Sequence, residues 1–327
     1  MPMPCHSRLV FFGLIALAVT ACSRTSTPDT NAITNNGQNM PQTNMTQTNK
    51  PQNDGAPRIT DSPDGVHIEY RVRGAGSPLV VLVHGWSCDS NYWRAQVPAL
   101  TPRYTVLTVD LAGHGASGRN RSDWSMGNFG ADVAAAVNAY WLQNKEAPRQ
   151  VVLVGHSMGG PVVIEAARRL RGSVLGVIGV DTFKGFGQPI ASAKEREARL
   201  AAMSKDFIGA TRAMVTTSFF RPDADPVLVQ QIASDMSSAP PEVGIPAVRG
   251  MNDWGQGLDL KDITVPIVAI EGDMTPVDDV KSRAIAPTFR SIVMKGRGHF
   301  LMMEDPAGFN PILIQEIDAL IKPAPGQ

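Results

Sequence analysis

The sequence predicts an α/β fold, a mostly parallel sheet flanked by helices. Strand-like and helix-like segments alternate along the chain, several of the strand-like ones are continuous apolar runs suited to a sheet buried on both faces, and no internal repeat interrupts the pattern. At 327 residues and 43% hydrophobic content the chain holds ample material for a sizeable core.

Residues 1–21 are expected to be removed as an export signal. Arg8 precedes the apolar run LVFFGLIALAV, which is short for a membrane span of roughly 20 residues, and small residues follow it. The end of the run, Val19-Thr20-Ala21-Cys22, resembles the lipobox of bacterial lipoproteins, in which cleavage precedes a cysteine that carries the lipid. On that reading Cys22 is the lipid attachment site, and the protein is anchored to a bacterial envelope membrane on its periplasmic or surface side. Residues 22–58 are rich in Thr, Asn, Gln and Pro with little to bury, and read as a disordered tether. Cys5 leaves with the signal and Cys22 takes lipid, so Cys88 alone remains in the globular part, where it reads as a small packing residue.

The core is assigned to residues 59–182 and 263–327. HIEYRVRG (67–74) alternates as a half-exposed strand does, and the apolar run 78–83 reads as a buried one. A short helix over 91–100, a strand over 104–111 and an alanine-rich helix over 129–144 follow. Then come a central strand over 150–155, a helix over 158–171 and a strand over 174–181. Two more strands, 263–272 and 290–296, alternate with helices near 277–288 and 307–321. Between residues 183 and 262 the rhythm gives way to helical stretches broken by prolines, read as a cap over the strand ends where open sheets bind ligands.

The formal charge is zero and no block of like charge stands out, so nothing marks the chain for nucleic acid. His84, His114, His156 and His299 belong to separate motifs without ligand spacing, so neither a metal nor another cofactor is implied, and nothing points to an obligate protein partner.

Chemistry is concentrated in three motifs. Gly155-His156-Ser157-Met158-Gly159 fits G-x-S-x-G between a strand and a helix, a turn so sharp that residues two places either side of the serine must lack side chains. Ser157 is thereby the candidate nucleophile, held at the positive end of the following helix. His84-Gly85-Trp86 follows the first buried strand, and the backbone amides of Trp86 and Met158 form the natural pair to hold an oxyanion. His299, in the Gly-flanked loop GRGHFLMMEDP (296–306), has the position and side chain of a general base.

These motifs resemble those of α/β-hydrolases bearing a lid, and the resemblance covers nearly all of residues 66–321. DLAGHGAS (110–117), Trp93 and Gln96 extend it, the first as a structural loop beside the pocket. The resemblance implies an eight-stranded, mostly parallel sheet with helices on both faces and a helical cap after strand 6. It also implies a triad whose acid orients the histidine. Related enzymes commonly place that acid in Gly-x-x-Asp-Pro after strand 7, but here Gly272 leads to Asp273-Met274-Thr275-Pro276 and threonine fills the slot. Asp273 is the first choice for the acid on chain order, and Asp181, ending the strand before the cap, is the alternative. Glu271, Asp278 and Asp279 rank lower.

The set implies hydrolysis of a small or moderately apolar carboxylic ester through an acyl-enzyme. Met203, Phe207, Ile208, Met214, Phe219 and Phe220 in the cap are candidates for an apolar pocket. A non-catalytic lipid-anchored binding protein, a cofactor-free perhydrolase and a carbon-carbon bond hydrolase using the same triad stand as alternatives.

Overall fold

The computed structural model describes residues 53–186, 191–256 and 258–322. The export signal, Cys22 and most of the tether fall outside the described residues.

An eight-stranded sheet runs in the order β1-β2-β4-β3-β5-β6-β7-β8. Its strands are β1 (Asp54–Asp61), β2 (His67–Arg73), β3 (Leu79–Val83), β4 (Thr105–Val109), β5 (Val151–His156), β6 (Val174–Val180), β7 (Ile267–Gly272) and β8 (Phe289–Met294). β1 and β2 are antiparallel to their neighbours, and every pairing from β4 to β8 is parallel. The burial follows from position. Every residue of β3, β4, β5 and β7 is buried, whereas β2 alternates, the edge strand β1 is mostly exposed and the edge strand β8 is only partly buried.

One boundary needs correction. The tether was expected to reach residue 58, but residues 54–58 already lie in β1, paired to β2 from Asp54↔Arg73 to Asp61↔His67. DGAPRITD buries almost nothing, so the strand is specified by backbone pairing along the sheet edge and leaves little trace in side-chain pattern.

The helices are α1 (Gln96–Leu100), α2 (Met126–Gln143), α3 (Gly159–Arg169), α4 (Ala193–Lys205), α5 (Phe207–Met214), α6 (Pro226–Ser237), α7 (Pro241–Trp254), α8 (Asp279–Ile285), α9 (Leu301–Glu304) and α10 (Pro306–Ile321). α2 and α3 pack together over one face of the sheet, and α1 and α10 over the other. The helix expected over 91–100 is a 3-10 turn, Ser90–Trp93, followed by α1. α2 starts a turn earlier than expected because Ser125 caps it, its side chain accepting from Asn128 N.

The four helices α4 to α7 form the insertion between β6 and β7. Each start is marked in the sequence. Ser192 and Glu195 form a capping box on α4, Asp206 caps α5, Asp225 caps α6 with Pro226 behind it, and Pro241 opens α7. The insertion touches the loops at the carboxyl ends of the strands: the Trp86 indole donates to Gly244 O at 2.8 Å, and His299 N donates to Phe219 O at 2.7 Å.

Candidate active site

β5 runs into the turn that carries Ser157, whose φ of 51° lies in the left-handed region. That conformation costs an L-residue about 1–3 kcal/mol and persists only where its surroundings hold it. Here Ser157 N donates to Val180 O at 3.0 Å, while the Thr182 hydroxyl and Gly160 N donate to Ser157 O at 2.6 and 2.9 Å. Both flanking glycines are sterically required. A Cβ on Gly155 would lie 2.2 Å from Gly159 O, and one on Gly159 would lie 2.6 Å from Val83 O.

The loop after β3 passes directly beside the serine, since a Cβ on Gly85 would lie 3.1 Å from Ser157 Cβ. The loop is braced by His84. Its buried ring accepts from Leu111 N at Nε2 (3.0 Å), so Nδ1 carries the proton and donates to Gly85 O (2.8 Å), and burial holds the imidazole neutral. Among the described residues, the backbone amides of Trp86 and Met158 donate no hydrogen bond. They are therefore free to receive an anionic oxygen.

His299 Nδ1 lies 2.6 Å from Asp181 Oδ2. Asp181 is the first residue past β6, with φ 47°, and its other oxygen accepts from Gly272 N at 2.8 Å and pairs with Lys184 Nζ at 2.6 Å. Burial acts to raise the Asp181 pKa. The hydrogen bond from His299 and the charges of His299 and Lys184 outweigh it, and the carboxyl is held below its usual range. In the neutral ring, with Nδ1–H given to a carboxylate, Nε2 presents a lone pair.

The first-choice acid, Asp273, is not at the histidine. It is more exposed, accepts from Gly296 N at 2.9 Å and pairs with Arg221 at 3.0 Å. The backbone explains the difference. The loop bearing His299 crosses over the end of β7 so closely that a Cβ on Gly272 would lie 2.5 Å from Gly298 O, and the imidazole meets the carboxylate just past β6. Glu271 is buried behind the site and accepts from Thr182 N and Phe183 N at 3.3 and 3.0 Å. Burial, and then the Asp181 charge, push its pKa up to about 8. Asp278 caps α8, and Asp279 accepts from the Ser291 hydroxyl.

Several supports of the site carried no signal in the sequence. Glu304 on α9 accepts from Gly298 N at 2.9 Å and Phe300 N at 3.1 Å, clasping the histidine loop. His156 Nε2–H donates to His299 O at 2.9 Å, and burial together with the charge of His299 pushes its pKa down to about 3, so the ring is neutral. From the cap, Phe219 stacks on His299 with centroids 4.4 Å apart, and Phe220 stacks on Phe300 at 5.5 Å.

The remaining motifs divide as follows. Asp110 accepts from Ser90 N and Ala116 N at 2.9 and 3.0 Å, fixing the loop beside the pocket. Buried Gln96 donates to Met302 O and Asn310 Oδ1, tying α1 to the helices after the histidine. Cys88 is buried, and burial raises its thiol pKa. Of the apolar cap candidates, Phe207 packs edge-on against Trp86 at 5.7 Å, whereas Ile208 is exposed. Among the described residues no cluster of His, Cys, Asp or Glu is placed to hold a metal ion.

A strained serine between a parallel strand and a helix, with a carboxylate-bound histidine on a loop nearby, thus sits at the carboxyl ends of an open α/β sheet. The chain belongs to the alpha/beta hydrolase family, which it matches over residues 80–312. Among curated relatives, it is 40% identical over 110 residues to a pimeloyl-[acyl-carrier protein] methyl ester esterase of Methylococcus capsulatus. That match covers 34% of this chain and spans only 38% of the relative's length. The esterase of that name from Yersinia enterocolitica is 25% identical over 269 residues, covering 76% of this chain and 96% of the relative. A thermophilic esterase from Thermogutta terrifontis superposes with a TM-score of 0.68 at 23% identity, covering 82% of this chain and all of that one, which establishes likeness of fold.

Proposed function

We propose that the protein is a serine esterase that hydrolyses a small or moderately apolar carboxylic ester through an acyl-enzyme on Ser157. The observation that carries the reading is the 2.6 Å bond between His299 Nδ1 and Asp181 Oδ2, just past the strand next to the serine turn. The esterase names of the relatives point the same way.

In this mechanism the Ser157 hydroxyl adds to the ester carbonyl while its proton passes to His299 Nε2. Asp181 orients the imidazole and stabilises the imidazolium. The new alkoxide sits on the amides of Trp86 and Met158. Collapse of the tetrahedral intermediate breaks the ester C–O bond, and the leaving alkoxide takes the proton from His299. Water then adds to the acyl-enzyme, giving its proton to His299, and the second collapse returns that proton to Ser157 and frees the acid. The apolar surroundings supplied by Trp86, Phe207 and Phe219 favour modest acyl or alcohol groups over charged ones.

The test is hydrolysis of p-nitrophenyl esters from acetate to long-chain acyl, with Ser157→Ala beside the unaltered protein. The reading expects turnover that favours short to medium chains and disappears with Ser157. A folded protein that turns over none of them would return weight to a binding role.

Export and lipid anchoring through Cys22 are part of the same proposal, supported by Arg8, the apolar run and Val19-Thr20-Ala21-Cys22. Mass spectrometry of the N-terminal peptide from the native host is the check. A diacylated Cys22 is expected, and an unlipidated soluble product would refute the anchor.

A further inference from the structure

The carboxylate that faces His299 also faces a cation. Lys184 Nζ is 2.6 Å from Asp181 Oδ1, and both side chains are largely buried, 14% and 6% exposed. The contact is built into the backbone. Asp181 N donates to Ile270 O, Glu271 receives the amides of Thr182 and Phe183, and Phe186 N closes the turn on Phe183 O. The rings of Phe183 and Phe186 stack at 4.7 Å in the core, with Phe289 beside them at 5.8 Å. Lys184, between two buried phenylalanines, is thereby returned to the carboxylate three residues before it.

We propose that Lys184 is a positioning residue that offsets the Asp181 charge and so extends the working range of His299 as an unprotonated base toward acid pH. The proposal rests on the Ser157, His299 and Asp181 reading of the site. Its physical basis is the sign of the interaction. Asp181 favours the imidazolium, and a cation fixed on the other carboxylate oxygen disfavours it. Loss of that cation therefore raises the pH at which the free base appears. Lys184 also shares the duty of Gly272 N in fixing the direction of the carboxylate toward His299.

The other groups facing Asp181 do not duplicate this charge. Glu271, from β7, keeps its proton until about pH 8 through burial and the Asp181 charge itself. Glu304, from α9, has its pKa raised by burial, and His156, from β5, is held neutral by burial. Among the described residues, Lys184 is the cation paired with Asp181 apart from His299.

The experiment compares kcat/KM against pH for p-nitrophenyl acetate with the full chain, Lys184→Met and Lys184→Arg. Ser157→Ala and Asp181→Asn serve as controls, and each variant's fold is checked by circular dichroism. The reading is the position of the acidic limb, whatever the plateau height. Lys184→Met is expected to move that limb up by about one pH unit, and Lys184→Arg to restore it. An acidic limb in Lys184→Met that coincides with that of the unaltered protein, while Asp181→Asn is crippled, overturns the role of Lys184 alone. Activity that survives in Ser157→Ala, or that is absent throughout, removes the underlying esterase reading and the proposal with it. Should Lys184→Met not fold, Lys184→Gln with an NMR titration of the His299 Cε1–H carries the same expectation and the same refutation.

Discussion

The Phe219 ring lies over the His299 imidazole, centroids 4.4 Å apart and planes 30° apart, and the Phe219 carbonyl accepts the His299 amide at 2.7 Å. Phe219 ends a π-helical turn, Val215–Phe219, at the close of α5, a wound geometry common where a helix must deliver a residue to a site. The insertion and the His299 loop are therefore joined by a ring stack and a main-chain hydrogen bond. An aromatic face also favours the imidazolium that forms during proton transfer, by about 0.5–2 kcal/mol. Phe219→Ala is expected to lower kcat roughly 2- to 30-fold with a smaller change in KM. Steady-state kinetics on a short p-nitrophenyl ester measure it, and a change confined to KM would make Phe219 only a wall of the substrate pocket.

Asp181 and Asp273 make opposite predictions although each directly follows a strand. Asp181→Asn removes the charge that orients His299, and kcat is expected to fall by about 10³- to 10⁴-fold. Asp273→Asn disturbs an exposed contact with Gly296 N and Arg221 and is expected to stay within a few-fold of the unaltered protein. The reverse ranking in a single kinetic comparison would return Asp273 to the triad.

Glu271 ties stability to pH. Its folded-state pKa is about 8 against an ordinary 4.5, because burial and the Asp181 charge oppose ionisation. Between those values the unfolded chain has lost the proton that the folded protein retains, so this group's stabilisation declines as pH rises and is gone above the folded pKa. Glu271→Gln retains an acceptor for Thr182 N and Phe183 N and cannot ionise. Its stability relative to the unaltered protein is expected to improve steadily from about pH 5 to pH 8 and then to level off. Urea melts at several pH values test this, and a constant difference would contradict it.

Arg121 ties the turn after β1 to α2. Its guanidinium, 1% exposed, joins the fully buried Asp132 to Asp64, and Asp132 also accepts from the Ser62 hydroxyl at 2.6 Å and Ala112 N at 3.2 Å. Arg121→Met leaves the Asp132 charge buried and unpaired, at an expected loss of about 3–5 kcal/mol. The Arg121→Met, Asp132→Leu pair is expected to recover most of it. Equilibrium denaturation of the single and double variants decides between this and a pair that contributes nothing.

How much of this could be read in advance depended on which forces left a mark on side chains. The central strands β3 and β5, LVVLV and VVLVGH, are buried on both faces, so sidedness vanishes and an unbroken apolar run remains. The edge strand β1 is specified by main-chain pairing, and its residues 54–58 read as tether. At the site, the serine turn was legible because sterics at Gly155 and Gly159 admit no side chain. The direction of a carboxylate was not. It is decided by the left-handed backbone at Asp181 and the Gly272 amide that receives one of its oxygens, and no spacing encodes either. The contacts of Lys184 and Phe219 were likewise invisible, because the turn and the cap that place them are products of the folded core.

The most direct test of the central claim is covalent labelling of the full chain with a fluorophosphonate, followed by intact mass and peptide mapping. A nucleophile activated by His299 and held beside the free amides of Trp86 and Met158 predicts a single adduct, on Ser157, that is lost in Ser157→Ala and greatly slowed in His299→Ala. A folded protein that takes no label, or that takes it on a residue other than Ser157, would contradict the account.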